Sequence, residues 1–327
     1  MNSKAMKALV ARILSPVLGV SACCVLATSM YAAAQAKPKT AESASPQQRT
    51  FATAQQAAEA LVQAIGADDV AALNEMFGPD GKDIVSTGDD TQDKNARSMF
   101  AKLAAEKKHV DTDPHHANRA VLSVGAEDWP FPVPLVKQGA KWHFDAKAGH
   151  DEIVARRIGG NELDAINICR GYVEAQKEYA SEKHDGSEIN QYAEKIISSP
   201  GKQDGLYWQN ADGSPGGPIG EAIAKVLEEG YKSQSEPYHG YHFKILKGQG
   251  PAAPLGELDY KVGDVMIGGF ALVAWPADYR VSGVQTFIVG ADGIVYQKDL
   301  GPDTAKVASE MERYNPDKTW QITADEK

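Results

Sequence analysis

The densest group of residues able to do chemistry is "EPYHGYHFKIL", where His239 and His242 stand among Tyr238, Tyr241 and Phe243. Two imidazoles three residues apart share a helix face and could hold a metal there. Gly240 and the flanking aromatics favour an extended chain instead, which puts the two rings on opposite faces. In "GYHFKIL", Tyr241, Phe243 and Ile245 alternate with His242, Lys244 and Leu246. The stretch therefore predicts the entry of a strand with its odd positions inward, and no metal pair. "DTDPHH", 111–116, carries Asp111, Asp113, His115 and His116, but Pro114 and its place between a helix and a strand read as a solvated turn. "KHDGSE" lacks the acidic spacing of a calcium loop, and "GPDGKD" is too short for a phosphate loop. G-x-S-x-G, H-E-x-x-H and C-x-x-C are all missing from the sequence. No catalytic residue, metal ligand or cofactor is assigned from local motifs.

Aromatic loops offer a different chemistry. "GLYWQNADGSPGGP" embeds Tyr207 and Trp208 in a segment rich in Gly, Pro, Asp and Ser, and "SEPYHG" sets Tyr238 and His239 just before a strand. Loops on a rigid scaffold commonly carry recognition. These four residues are the candidate ligand-binding set, suited to stacking on a sugar or peptide of the cell envelope. The competing reading is that the Tyr207 and Trp208 rings plug the open side of a sheet core. Cys169 follows Ile166 by three and precedes Val173 by four, the spacing of a helix's apolar stripe, and reads as a buried small hydrophobe.

The elements that must position these residues follow from periodicity. Thr53 can cap a helix through Ala57, Ala58, Leu61, Val62 and Ile65, and Asp68 or Asp69 a short second one through Leu73 and Met76. A third covers 93–107, with Met99, Phe100 and Leu103 inward. Then the period falls to two, and "RAVLSVGAEDWPFPVPLVKQGAKWHFD" predicts three strands. In the middle one Trp129, Phe131, Val133 and Leu135 share a face, while Pro130, Pro132 and Pro134 strip one edge of donors. The segment 128–136 is therefore expected as an edge strand with its prolines toward solvent; a proline-rich ligand for another protein is the alternative. A helical linker, 148–160, leads to a helix that Asn161 can cap, and further helices are expected over 187–197 and in "EAIAKVLEEG". The last third is β, with Asp292-Gly293 as a hairpin turn. Helices precede antiparallel strands in each half, the α+β pattern. The expected layout is a signal over 1–36, a flexible linker over 37–50, domains over 51–147 and 161–320, and the helical linker between them.

Charge and the N-terminus bound the setting. The chain of 327 residues carries a formal charge of −10, and removing residues 1–36, which hold Lys4, Lys7 and Arg12 and no acid, makes it −13. Such a surface repels phosphate backbones and gives an anionic membrane no basic patch, so no nucleic-acid partner is expected. The basic start, the apolar run "ILSPVLGVSACCVLATSMYAAA" and "AQA" at 34–36 read as an export signal. Cleavage near Ala36, a lipid anchor on Cys23 within "VSAC", and an uncleaved anchor are the three outcomes. Each puts the folded part in the periplasm or beyond, and the first two leave no membrane span. Apart from Cys23 and Cys24 the only cysteine is Cys169, so no internal disulfide forms.

The motifs "GPDGKDIVSTGD", "DWPFPVPLVK", "ARRIGGNELDAI", "SSPGKQDGLYW", "PYHGYHFKIL", "MIGGFALVAWPA" and "TFIVGADGIVYQKDLGPDT" resemble an exported bacterial family of unknown function, DUF 2950. That likeness implies export and carries no assigned activity. The second half is also similar to the globular head of type IV pilins and pseudopilins, without the apolar helix half that builds a pilus. The first half resembles the cone of the nuclear-transport-factor kind. These likenesses imply two α+β domains and no catalytic residue. The expected role is a non-catalytic binding or structural protein of the envelope, with a cell-envelope protein or glycan as partner. A hydrolase with its site between the domains and a pilus or secretion accessory are the alternatives.

Overall fold

A computed structural model describes residues 48–86, 88, 90–114, 116–220, 224 and 240–324. The export signal, Cys23, Tyr238, His239 and all but Ala224 of the expected helix at 221–230 lie outside the described residues. The fold is α+β, and its contacts divide the chain into two compact units at Ala155/Arg156.

The N-terminal unit starts with helices α1 (Ala54–Gly66), α2 (Val70–Phe77), α3 (Lys82–Val85) and α4 (Asp90–Glu106). The caps follow the sequence reading. Thr53 accepts from the Gln56 amide at 3.1 Å, and Asp69 from the Ala72 amide at 3.0 Å. Contacts with this unit extend to residues before Phe51. The Gln48 side chain donates to Met76 O at 2.8 Å and Phe144 O at 2.6 Å, satisfying a carbonyl in the last turn of α2 and one at a strand end. The end of the expected flexible linker is thus docked.

The strands are β1 (Lys108–Thr112), β2 (Arg119–Val124), β3 (Trp129–Pro130), β4 (Leu135–Gln138) and β5 (Lys141–Phe144). They form an antiparallel sheet in the order β1-β2-β4-β5, with β3 also on β2. Strand β1 escapes a hydrophobic pattern because Val110 is its one apolar residue and every position keeps some exposure. The proline segment is not one edge strand. After β3 it bulges, and β4 then lies between β2 and β5. Phe131, Val133 and Leu135 do point into the core, but Pro132 and Pro134 are buried too. The prolines mark the bulge, where no ladder donor is required.

Helix α5 (Ala146–Tyr179) then runs unbroken. Asn161 is inside it rather than at its start. Its amide donates to Ser282 O at 2.8 Å, and Glu162 next to it accepts from the amides of Val284 and Gln285 at 2.9 and 3.0 Å. The bond to Ser282 occupies the Asn161 side chain that the sequence offers as a cap, and Gly159-Gly160 is carried within the helix.

In the C-terminal unit Ala165, Ile166, Cys169, Tyr172 and Val173 of α5 join one core with the main sheet. That sheet is antiparallel, in the order β18 (Gln321–Ile322), β16 (Val295–Asp299), β15 (Gln285–Gly290), β14 (Ala271–Pro276), β9 (Tyr241–Leu246). In β9 Tyr241, Phe243 and Ile245 are buried, as the alternation predicts, and Leu246 is buried as well. The β15–β16 turn has Gly293 at φ +79°, and Asp292 accepts from the Ile294 amide at 3.2 Å.

No helix forms over 187–197. Tyr192 bridges to Met266, and the buried Gln176 amide pairs both backbone groups of Ala193, at 2.8 and 2.9 Å. This side-chain bridge fixes extended backbone where propensity alone favours a helix. The segment ends in β6 (Lys195–Ile197), parallel to β7 (Gly205–Gln209), which pairs with β8 (Pro215–Gly216). Smaller pairs are β10 (Gly248–Gln249) with β11 (Leu258–Asp259) and β17 (Arg313–Tyr314), and β12 (Lys261–Val262) with β13 (Val265–Met266). Helix α6 (Thr304–Ser309) precedes β17.

Candidate functional site

Tyr207 and Trp208 stand on β7 rather than in a loop. Ile197 faces Tyr207 across the parallel pair, and the Ser198 amide donates to Tyr207 O at 2.8 Å. Tyr207 is 8% exposed and belongs to the C-terminal core; Trp208 is half-buried against it. The indole sits edge-on to Tyr179 and His184, with centroids 6.4 and 5.5 Å away, and its N–H donates to Asn210 at 3.1 Å. A Cβ at Gly216 would stand 2.4 Å from the indole nitrogen, so only glycine leaves the ring its place.

Beneath Trp208, Tyr179 and His184 stack at 3.9 Å. The His184 Nε2 lies 2.8 Å from Tyr179 O, the Tyr179 hydroxyl donates to Gln203 O at 2.5 Å, and burial pushes that hydroxyl up to about 12. The aromatic group thus meets its polar needs internally. Its partners in the expected set, Tyr238 and His239, lie outside the described residues.

Strand β6 and the loop after it hold a nucleophile-like triplet. Lys195 Nζ lies 2.6 Å from Ser199 Oγ and 2.9 Å from Asp204 Oδ2, and Ser199 Oγ–H donates to Asp204 at 3.0 Å. Activation of a serine requires a base free to take its proton. Partial burial raises the Asp204 carboxyl, but hydrogen bonds from Lys195 and from the Ser199 amide and hydroxyl outweigh it and hold it below its ordinary value. Asp204 is a poor base here and a good turn clamp. In the other unit His109 lies 2.8 Å from Asp111 and 3.4 Å from Asp128, which also pairs with Lys107. Among the described residues no group of three or more His, Cys, Asp or Glu is placed to hold a metal. Cys169 is fully buried, and burial pushes its thiol up to about 12, so it is not a nucleophile.

A concave feature with room for a guest lies in the N-terminal unit. Ile65 at the end of α1, Leu73 of α2, Val85 of α3 and Met99 of α4 surround a pocket of about 80 Å³, and Trp129 and Phe131 at β3 complete its wall. The sequence marks most of these residues as core; it does not show that they stop short of closing. Among the described residues of this lining Arg97 is the charged one. Arg97 Nε lies 2.5 Å from Asp68 and its Nη1 donates to Val85 O at 3.3 Å. Asp68 reaches it from a left-handed conformation, φ +54°, that aspartate tolerates. Spacing gives no hint of this ion pair, since 29 positions separate its members.

No curated protein and no solved structure matches the chain, so the likenesses to pilin heads and to transport-factor cones stay analogies of pattern. The motif-level resemblance does have a counterpart at family level. A family model matches residues 48–323, through both units and nearly all of the described chain, and by that match the protein belongs to the family described as protein of unknown function DUF2950.

Proposed function

We propose that this protein is an exported, non-catalytic binding module of the cell envelope, and that its N-terminal unit receives one small apolar group in the pocket beside Arg97. The pocket carries the reading. Sites for drug-sized ligands run to ~300–1,000 Å³, whereas this one has about 80 Å³ and a largely apolar wall. An engineered cavity of ~150 Å³ takes up benzene, so a branched aliphatic side chain is the fitting guest. That points to recognition of a peptide rather than turnover of a metabolite or storage of a lipid.

Export rests on the basic start, the apolar run and "AQA". Mass spectrometry of the chain from envelope fractions tests it: a start at Lys37 is expected, and an intact Met1 form confined to the cytoplasm would sink the proposal. For the pocket, N-acetyl-L-leucinamide is titrated into labelled protein and amide shifts are followed by NMR. Saturable shifts are expected at Ala96, Met99 and Phe131, with none from N-acetylglycinamide and none in Ala96→Phe, which fills the pocket from its wall. Equal responses to both probes would refute side-chain recognition.

A further inference from the structure

Leu255 is at odds with its surroundings. It is 96% exposed, and its backbone sits at φ +70°, followed by Gly256 at φ +78°. A left-handed conformation is costly for leucine, and glycine or asparagine would occupy it with less strain. Exposure of this degree returns no burial in the isolated chain.

Nor is the loop loosely held. Gln249, 8% exposed, donates its side-chain amide to Pro254 O and, at 2.7 Å, to Gly256 O, the carbonyls on either side of Leu255. The Tyr260 hydroxyl donates to Gln249 Oε1 at 3.2 Å and orients that amide. The Ala252 amide donates to Asn315 at 2.9 Å, and Ala253 is buried. A buried polar group thus clamps a strained backbone so that one apolar side chain stands out. Backbone strain of this kind marks sites where something is gained on binding.

We propose that the occupant of the pocket in the N-terminal unit is Leu255 of a second copy of this chain. This rests on reading the pocket as a receptor for one apolar side chain. Size agrees, since about 80 Å³ suits an isobutyl group. Hydrogen-bonding capacity agrees as well. Glu257 follows Leu255 by two residues, its side chain 62% exposed and 3.9 Å from the nearest Arg313 nitrogen. The pocket carries Arg97, whose Nε and Nη1 bonds to Asp68 and Val85 leave further N–H donors of the guanidinium for a carboxylate. An anionic membrane is a poor alternative for a leucine flanked by Glu257 and Asp259 on a chain of net charge −10. The contact is heterologous, with one projection and one receptor on each copy, so it propagates from copy to copy.

Sedimentation velocity over a concentration series tests this. The chain should sediment faster as concentration rises. Leu255→Gly relieves the strain, so it should melt no lower than the parent while its dissociation constant weakens roughly tenfold to a hundredfold, the value of burying one leucine side chain. Leu255→Asp alone and Ala96→Phe alone should each stay monomeric. Their equimolar mixture retains one intact projection and one intact receptor and should form 1:1 dimers and nothing larger. A parent monomeric at every concentration, association that survives Leu255→Asp, or a mixture that stays monomeric would each overturn the proposal. If the leucinamide probe fills the pocket while the parent stays monomeric, the second-copy inference fails and the pocket reading stands. If the probe fails to bind, both fall.

Discussion

Truncating Tyr207 separates a core plug from a recognition surface. Its ring is 8% exposed and packs in the C-terminal core with Leu206 and Ile197. A buried aromatic removes ~150–250 Å² from water, and at ~25 cal/mol per Å² that is roughly 4–6 kcal/mol as an upper bound. Measured losses for buried aromatics cut to alanine are ~3–5 kcal/mol. Tyr207→Ala should therefore destabilise the C-terminal unit by about 3–5 kcal/mol, and Tyr207→Phe, which keeps the ring, by less than about 1. Trp208 is half-buried and makes two edge-on ring contacts, so Trp208→Ala should cost about 1–3 kcal/mol. Urea unfolding followed by circular dichroism gives the midpoints. Hydrogen exchange of peptides from 241–299 assigns the shifted transition to the C-terminal unit, which is needed because two units can unfold separately. A Tyr207→Ala midpoint within error of the parent would refute the plug and restore the aromatic pair as a candidate surface.

Three further outcomes follow from the same geometry. Gln176→Leu leaves the buried amide and carbonyl of Ala193 without partners and should cost about 2–4 kcal/mol in urea unfolding. The Asp204 carboxyl is held below its ordinary 3.8, so its stabilising contribution is complete above that pH and fades as pH falls through the lower folded value; Asp204→Asn should flatten the acid limb of the melting curve below about pH 4. The Phe131 amide donates to Leu122 O at 2.7 Å beside a buried ring and should exchange slowly by NMR; fast exchange there would mean the proline segment is detached from β2.

Periodicity made much of the fold legible. Ala57, Ala58, Leu61 and Ile65 repeat at helical spacing and are buried in α1, and Tyr241, Phe243 and Ile245 alternate in β9. What escaped was held by contacts distant in sequence. Gln176 straightens the segment around Ala193 from 17 residues away. Asn161 and Glu162 look like the start of a helix, but their partners are Ser282, Val284 and Gln285. The prolines at 130–134 correctly signalled missing ladder donors, yet a bulge meets that condition as well as a sheet edge does. The candidate site was least legible. Ile65, Leu73, Met99 and Phe131 carry a core signature whether or not the core closes over them, and nothing local distinguishes an apolar wall from an apolar filling. Leu255 lies in a Pro- and Gly-rich loop where composition says nothing about φ.

Cys169 lets the molecule keep a record of its own opening. Its thiol is fully buried and held protonated, at about 12, so the folded chain presents no thiolate to an oxidant or an alkylating reagent. Only a copy in which α5 has parted from the sheet can be captured. In an oxidising medium each such excursion carries a chance of permanent trapping as a mixed disulfide. The trapped fraction therefore grows with time at a rate set by how often the core opens, and the intact fraction is a clock for the lifetime of the native state.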